Sequence, residues 1–344
     1  MKRKIRFCST LFIFALPVSA AAQSAADSVP PIAAPGRLVD VGGWRLHLNC
    51  TGKATALQPT VILEAGVGDF SVEWSLVQPG VARFARVCSY DRAGDGWSDV
   101  GPYPRTLHQI AYELHQLLER GGERPPYVLV GHSYGGWLVR VYQSVYPSEV
   151  AGMVLVEAGA DNPLRMQSDG RVVHASELAT GRAIPPVKTS GPLRESDIPP
   201  AALARMKAGA AQAAADANPG SRAKLPPEAQ RMRTWALGRW QHVVAAVNPF
   251  EIEELMALRA DRLKSEHQLG AMPLVVLTRG IPEEQGPEAA AREEEHRREH
   301  TVLATLSSRG ELMVALHSAH HVQLDEPELV VATIQRVVAA AMRT

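Results

Sequence analysis

The chain is poor in the features that mark most specialised classes. Its formal charge is zero, from 36 basic and 36 acidic residues, so it lacks the basic excess that a nucleic-acid partner selects for. Three cysteines in 344 residues are too few for a disulfide scaffold. No cluster of His, Cys and Asp has metal-ligand spacing, so the sequence predicts neither a metal nor a cofactor. Beyond the N-terminus no apolar run is long enough to span a bilayer.

The N-terminus is the exception. Met1 to Arg6 is basic, Phe7 to Val18 is apolar but too short to cross a membrane, and Ser19 to Gln23 offers small residues for cleavage after Ala20 or Ala22. This pattern predicts a cleaved secretory signal over residues 1–22, with export to the periplasm or the medium. Cleavage removes Cys8. Cys50 and Cys88 remain, an even pair in an exported chain and therefore a disulfide candidate.

Hydrophobic residues make up 46% of the chain, enough for a real core. Residues 23–36 read as a loose Ala/Ser/Pro linker. Leu38–Val41 and Trp44–Cys50 flank Gly42-Gly43 as a hairpin. Apolar strands follow at Thr60–Leu63, Arg86–Tyr90, Tyr127–Val130 and Met153–Val156. A helical stripe (Leu107, Ile110, Ala111, Leu114, Leu117, Leu118) falls among them. The alternation predicts a mostly parallel α/β sheet. It stops near Asp161. Residues 162–270 show no strand pattern and read as a helical cap. Strand and helix alternate again from Pro273 to the end, so the core is 37–161 plus 271–344. The run Arg292 to His300 mixes both signs and reads as a solvated helix face.

Gly131-His132-Ser133-Tyr134-Gly135 sits between an apolar strand and a helix. Such a tight turn holds the serine in a strained backbone, with small residues on either side to let strand and helix approach. Its hydroxyl then stands at a helix N-terminus, where N–H groups can receive developing negative charge. Ser133 is the candidate nucleophile.

Four patterns now stand in order: Glu64-Ala65-Gly66-Val67, Tyr90 to Ser98, Gly131 to Gly136, and Ser318 to Pro327. Together they resemble the α/β-hydrolase superfamily, in its capped serine-hydrolase, esterase-like branch. The resemblance implies an α/β-hydrolase fold with an eight-stranded, mostly parallel sheet and a helical cap inserted after the sixth strand. It also implies roles. A serine needs a histidine base, and the base needs a carboxylate. His320 stands where the family places its histidine, with His321 as the neighbouring alternative. His132 and His317 read as packing and as a strand end.

Two carboxylates stand at family positions for the acid. Glu157 ends the sixth strand, where burial without a partner is costly. Glu283 lies after the seventh strand, and Asp161 is a third choice. The oxyanion donors implied are the backbone N–H groups of Val67 and Tyr134. The loop from Asp91 to Ser98 reads as structural, with Asp91 and Arg92 as an internal pair. The family places the second strand beside the fourth, which suits a Cys50–Cys88 disulfide.

The resulting expectation is an exported serine hydrolase acting on a small-molecule acyl substrate, without cofactor, metal or nucleic acid. Two alternatives stay open. One is an iminopeptidase-like enzyme, which needs an acidic patch in the cap such as Glu251, Glu253 and Glu254. The other is a non-catalytic, ligand-binding relative. Oligomeric state and substrate are not legible in the sequence.

Overall fold

The computed structural model describes residues 32–55, 58–167, 169–283 and 289–343. The expected signal peptide, residues 1–22, and residues 23–31 of the expected linker lie outside them. The sheet strands are β1 (Arg37–Asp40), β2 (Arg45–Thr51), β3 (Thr60–Glu64), β4 (Val87–Tyr90), β5 (Tyr127–His132) and β6 (Val150–Val156), then, after a two-stranded ribbon, β9 (Leu274–Arg279) and β10 (Gly310–Ala315). They form one eight-stranded sheet in the order β1-β2-β4-β3-β5-β6-β9-β10. The β1–β2 and β2–β4 pairs are antiparallel and all other neighbours are parallel.

The central strands are apolar runs because both their faces are covered. Every residue of β3 and β5 is buried. Alternate side chains serve opposite faces. Ile62, Leu129, Leu155 and Val276 pack on the side of helices Leu107–Arg120 and Tyr134–Val145. Val61, Leu63, Val128, Val130, Val154 and Val156 pack on the side of helix Pro327–Ala341. Thr106 caps the Leu107 helix by accepting a hydrogen bond from the Gln109 N–H, which satisfies one of its free amides. Antiparallel register places Cys50 opposite Cys88, and the two are joined, S–S 2.04 Å.

Register also brings the carboxyl ends of the strands together. His132 pairs with Val156, and Val156 with Leu277. Residues 133 and 157 therefore leave adjacent strands side by side, at the edge where open α/β sheets bind their ligands.

Between β6 and β9 the chain forms helices Pro200–Ala215, Pro227–Leu237, Trp240–Ala245 and Glu251–Lys264. One expectation fails here. The insertion does contain strands: β7 (Leu164–Met166) and β8 (Val172–His174), an antiparallel ribbon. Three residues are too few for an alternation to be read. Within the helical part, Gly238 caps one helix and Trp240 opens the next.

The insertion docks on the core through apolar contacts (Leu255 and Leu258 in the main core, Leu225 and Met232 beside Phe70 and Val72) and through charge. Arg233 Nη1 bonds Asp69 Oδ1 at 2.8 Å and also reaches Glu73, and Arg222 Nη2 lies 2.9 Å from Asp69 Oδ1. His242 Nδ1 is 2.9 Å from Asp95. Arg262 Nε donates to Asp161 at 2.6 Å. Glu254 accepts from the Leu107 N–H at 2.8 Å, capping the helix from across the fold.

Candidate active site

Ser133 has φ 52° and ψ −119°, a region that L-residues adopt only under constraint. The constraint is visible in the glycines around it. A Cβ on Gly131 would lie 2.5 Å from the Gly135 carbonyl oxygen, and one on Gly135 2.7 Å from those of Glu64 and Ala65. The Ser133 N–H donates to Val156 O at 3.1 Å, and its carbonyl accepts from the Gly136 and Gly159 N–H groups. Tyr134 opens the helix behind it, so its N–H has no carbonyl one turn earlier in that helix.

The loop after β3 passes close to the serine. A Cβ on Gly66 would meet Ser133 Cβ at 3.4 Å and His132 Nδ1 at 3.1 Å. Arg92 shapes this loop. Its guanidinium is buried, bonds Glu64 Oε1 at 2.6 Å, and donates to the carbonyls of Ala65, Gly66 and Asp69. Val67, which follows Gly66 in this turn, is 49% exposed. Burial pushes the Glu64 carboxyl up to about 7, against the pull of Arg92.

The expected Asp91–Arg92 pair does not form. Asp91 instead faces His47 Nδ1 at 2.9 Å and accepts from the Ser71 and Trp97 N–H groups. Neighbours along a loop point to opposite sides, and each finds a partner on its own side. Although burial alone would lower it, the His47 pKa is raised, because Asp91 is beside it.

His320 lies in the loop between β10 and helix Val322–Asp325. Two carboxylates hold the loop: Glu326 accepts from the His317 N–H and the Ser318 hydroxyl, and Asp325 from the Ala319 N–H. His320 Nδ1 is 3.3 Å from Glu157 Oε2. Its backbone carbonyl accepts from His132 Nε2 at 2.9 Å, and the two rings are 4.8 Å apart. His132, expected to pack, thus ties the elbow to the histidine loop. Burial pushes the His132 pKa down to about 3 and that of His321 to about 2. His321 faces His132 rather than Glu157.

Glu157 is buried at 1% exposure, and its backbone is left-handed, φ 46°. Burial would raise its pKa. Hydrogen bonds from His296 and His320, with His300 nearby, hold it well below the ordinary range. Oε1 accepts from the Arg279 N–H at 2.7 Å and lies 2.9 Å from His296 Nε2. Oε2 accepts from Arg279 Nη1 at 3.0 Å.

The other two carboxylates are engaged elsewhere. Glu283 is exposed on the loop after β9, with Arg279 Nη1 3.4 Å from its Oε2. Asp161 is held between Arg140 and Arg262.

The charged run from Arg292 to His300 is not wholly solvated. It lies in helix Ala289–Ala304, where His296 is half-buried and His300 fully buried, both turned to Glu157. The signal available in the sequence was the spacing of the two histidines, four residues apart on one helix face. Burial pushes His300 down to about 4. Arg279 also went unread, and Arg92 was given the wrong partner, since Glu157 and Glu64 are distant from them in sequence.

A family model described as the alpha/beta hydrolase fold matches residues 59–175. An AB hydrolase superfamily protein of Gibberella zeae is 27% identical over 310 residues, covering 86% of this chain and 91% of its own. Among solved structures, a thermophilic esterase from Thermogutta terrifontis aligns with TM-score 0.58 and 20% identity, over 90% of this chain and all of that one. A meta-cleavage product hydrolase from Pseudomonas fluorescens aligns with TM-score 0.54 and 17% identity, over 88% of this chain and 98% of that one. With the strand order and the elbow, these likenesses agree on one family: the chain belongs to the α/β-hydrolase superfamily.

Proposed function

We propose that the protein is an exported serine hydrolase that cleaves a carboxylic ester or related acyl bond, with Ser133 as nucleophile, His320 as base and Glu157 as acid. The observation that carries this reading is the 3.3 Å approach of His320 Nδ1 to a buried, ionised Glu157 beside the strained Ser133 turn. With Nδ1–H donated to Glu157, the lone pair stays on Nε2. That nitrogen takes the Ser133 proton as Oγ attacks the carbonyl carbon. The N–H groups of Val67 and Tyr134 receive the oxyanion. The proton then passes to the leaving alcohol, and water releases the acyl group by the same steps. Glu157 stabilises the imidazolium formed in each half. The insertion serves as the cap and sets the acyl pocket.

The iminopeptidase alternative has less support. Its acidic patch would need free carboxylates, and all three candidates have partners. Glu254 caps the Leu107 helix, Glu251 pairs with Arg165, and Glu253 accepts from Thr180.

The test is labelling with a fluorophosphonate probe, alongside turnover of p-nitrophenyl esters of increasing chain length. Wild type should label and Ser133→Ala should not. An unlabelled wild type rules the serine mechanism out.

A further inference from the structure

Glu157 has a second side. Its Oε2 faces His320, but Oε1 faces two imidazoles from helix Ala289–Ala304. His296 Nε2 is 2.9 Å from Oε1 and His300 Nδ1 is 3.8 Å from it. The three donor atoms lie within 4.8 Å of one another.

Hydrogen bonding accounts for only part of this arrangement. His300 Nε2 is 2.9 Å from the Ala158 carbonyl oxygen. A carbonyl can only accept, so Nε2 carries the hydrogen and Nδ1 of the neutral ring carries a lone pair. That lone pair is turned toward a carboxylate oxygen. It is fully buried and has no hydrogen-bond partner. Oε1 itself accepts from the Arg279 N–H at 2.7 Å and the Thr278 hydroxyl at 3.4 Å, so the group left without a partner is the His300 lone pair, which a cation beside Oε1 would satisfy.

We propose that Glu157, His296 and His300 bind a divalent transition metal ion of the zinc type, and that this ion competes with His320 for Glu157. Two imidazoles and one carboxylate suit zinc and its neighbours better than calcium or magnesium, which take oxygen ligands. Bonds of about 2.0–2.1 Å in a tetrahedral site put donors roughly 3.3 Å apart. The observed 2.9 and 3.8 Å straddle that value and the two histidine donors lie within 4.8 Å of each other, so shifts of up to about 1.5 Å complete the site. His296 is half-buried at the helix surface, which gives an entry path and a water for the fourth position. Arg279 Nη1 stays on Oε2. Its charge weakens binding without blocking it.

Proton balance is simple. The carboxylate is already ionised and His300 Nδ1 is already bare. His296 moves its ring proton from Nε2 to Nδ1 by exchange with solvent, so no net proton is released. The sequence could not show this site, because Glu157 is 139 residues from His296. The consequence for activity rests on the proposed serine-hydrolase reading: a metal on Oε1 draws charge from the carboxylate that stabilises the His320 imidazolium.

The test uses the purified full chain. Zn2+ binding is measured by calorimetry, Co2+ binding by visible absorption, and p-nitrophenyl acetate turnover with and without Zn2+. One ion should bind per chain, Co2+ should give the intense bands of a tetrahedral site, and Zn2+ should displace it. Saturating Zn2+ should lower turnover at least about tenfold, and EDTA should restore it. In His296→Gln the side-chain amide keeps a donor for Oε1 but offers no metal-binding nitrogen. It should lose at least about tenfold in metal affinity, together with the Zn2+ sensitivity. Absence of the Co2+ bands in wild type overturns the proposal whether or not the variant folds. Undiminished binding in His296→Gln overturns it too, as does turnover unchanged at saturating metal. If wild type cleaves no ester, the binding measurements still decide the metal site, and only the serine-hydrolase reading falls.

Discussion

The sheet and the insertion are held by different forces. At the sheet, Val61, Leu63, Val128, Val130, Val154 and Val156 are removed from water altogether. That attraction is non-directional, and it grows with area. The insertion buries less apolar surface: Leu255 and Leu258 join the main core, and Leu225, Ala229 and Met232 pack with Phe70, Val72 and Leu324. To these it adds ionic contacts with the core: Arg233 and Arg222 on Asp69, His242 on Asp95, and Arg262 on Asp161. Such contacts are directional and specific to partner, and they fail when one partner is removed. The sheet therefore rests on area alone, while the position of the insertion also depends on named ionic partners.

The largest expected effect tests whether chemistry belongs to the sheet edge alone. Glu157→Gln should cost about 10^3–10^4-fold in turnover with an ester, whereas Glu283→Gln should leave it within about twofold. Equal losses would return the acid to open question. Next comes Leu155→Ala, at a fully buried position of β6. It should lower global stability by about 2–5 kcal/mol in urea unfolding.

Arg233→Met is the counterpart in the insertion. Losing one member of a buried ionic group costs about 3–5 kcal/mol, but here the cost should appear as local opening. Hydrogen exchange should speed up across residues 200–264 and stay unchanged in β3, β5 and β6. Exchange rising equally in both regions would erase the distinction drawn above.

A smaller effect comes from acid. His132 and His321 are pulled down by burial to about 3 and about 2, while the unfolded chain protonates histidine near pH 6.5. Below that pH the unfolded state binds more protons, so stability falls as pH drops from about 6.5 toward the folded values. Each ring contributes on the order of 1 kcal/mol per pH unit. Urea midpoints at pH 7.5, 6 and 5 measure it, and His321→Gln should flatten the slope.

Legibility in the sequence followed the same division. β3, β5, β6 and β9 were readable because a strand buried on both faces must be an apolar run. The Ser133 turn was readable because its glycines are demanded by local geometry. Glu157 was readable as a carboxylate at a strand end, yet its advantage over Glu283 lay in contacts with His320, Arg279 and His296, more than 120 residues away. His296 and His300 were misread as solvated because charged neighbours surround them, and polar packing has no periodic apolar stripe to reveal it. Asp91 and Arg92 were adjacent in the chain but faced different partners, which adjacency cannot tell.

The left-handed backbone at Glu157 has a consequence for mutation and drift. Glycine and asparagine would sit more easily at φ 46°, and neither carries a charge. That relief is small, about 1 kcal/mol, beside the about 3–5 kcal/mol lost when a buried ionic group loses its carboxylate, because Arg279, His296 and His320 all bond Glu157. Variants without the carboxylate should therefore melt earlier as well as lose turnover. Only aspartate offers both an easier backbone and a carboxylate, one methylene shorter, and it is the replacement that a screen for activity should recover first.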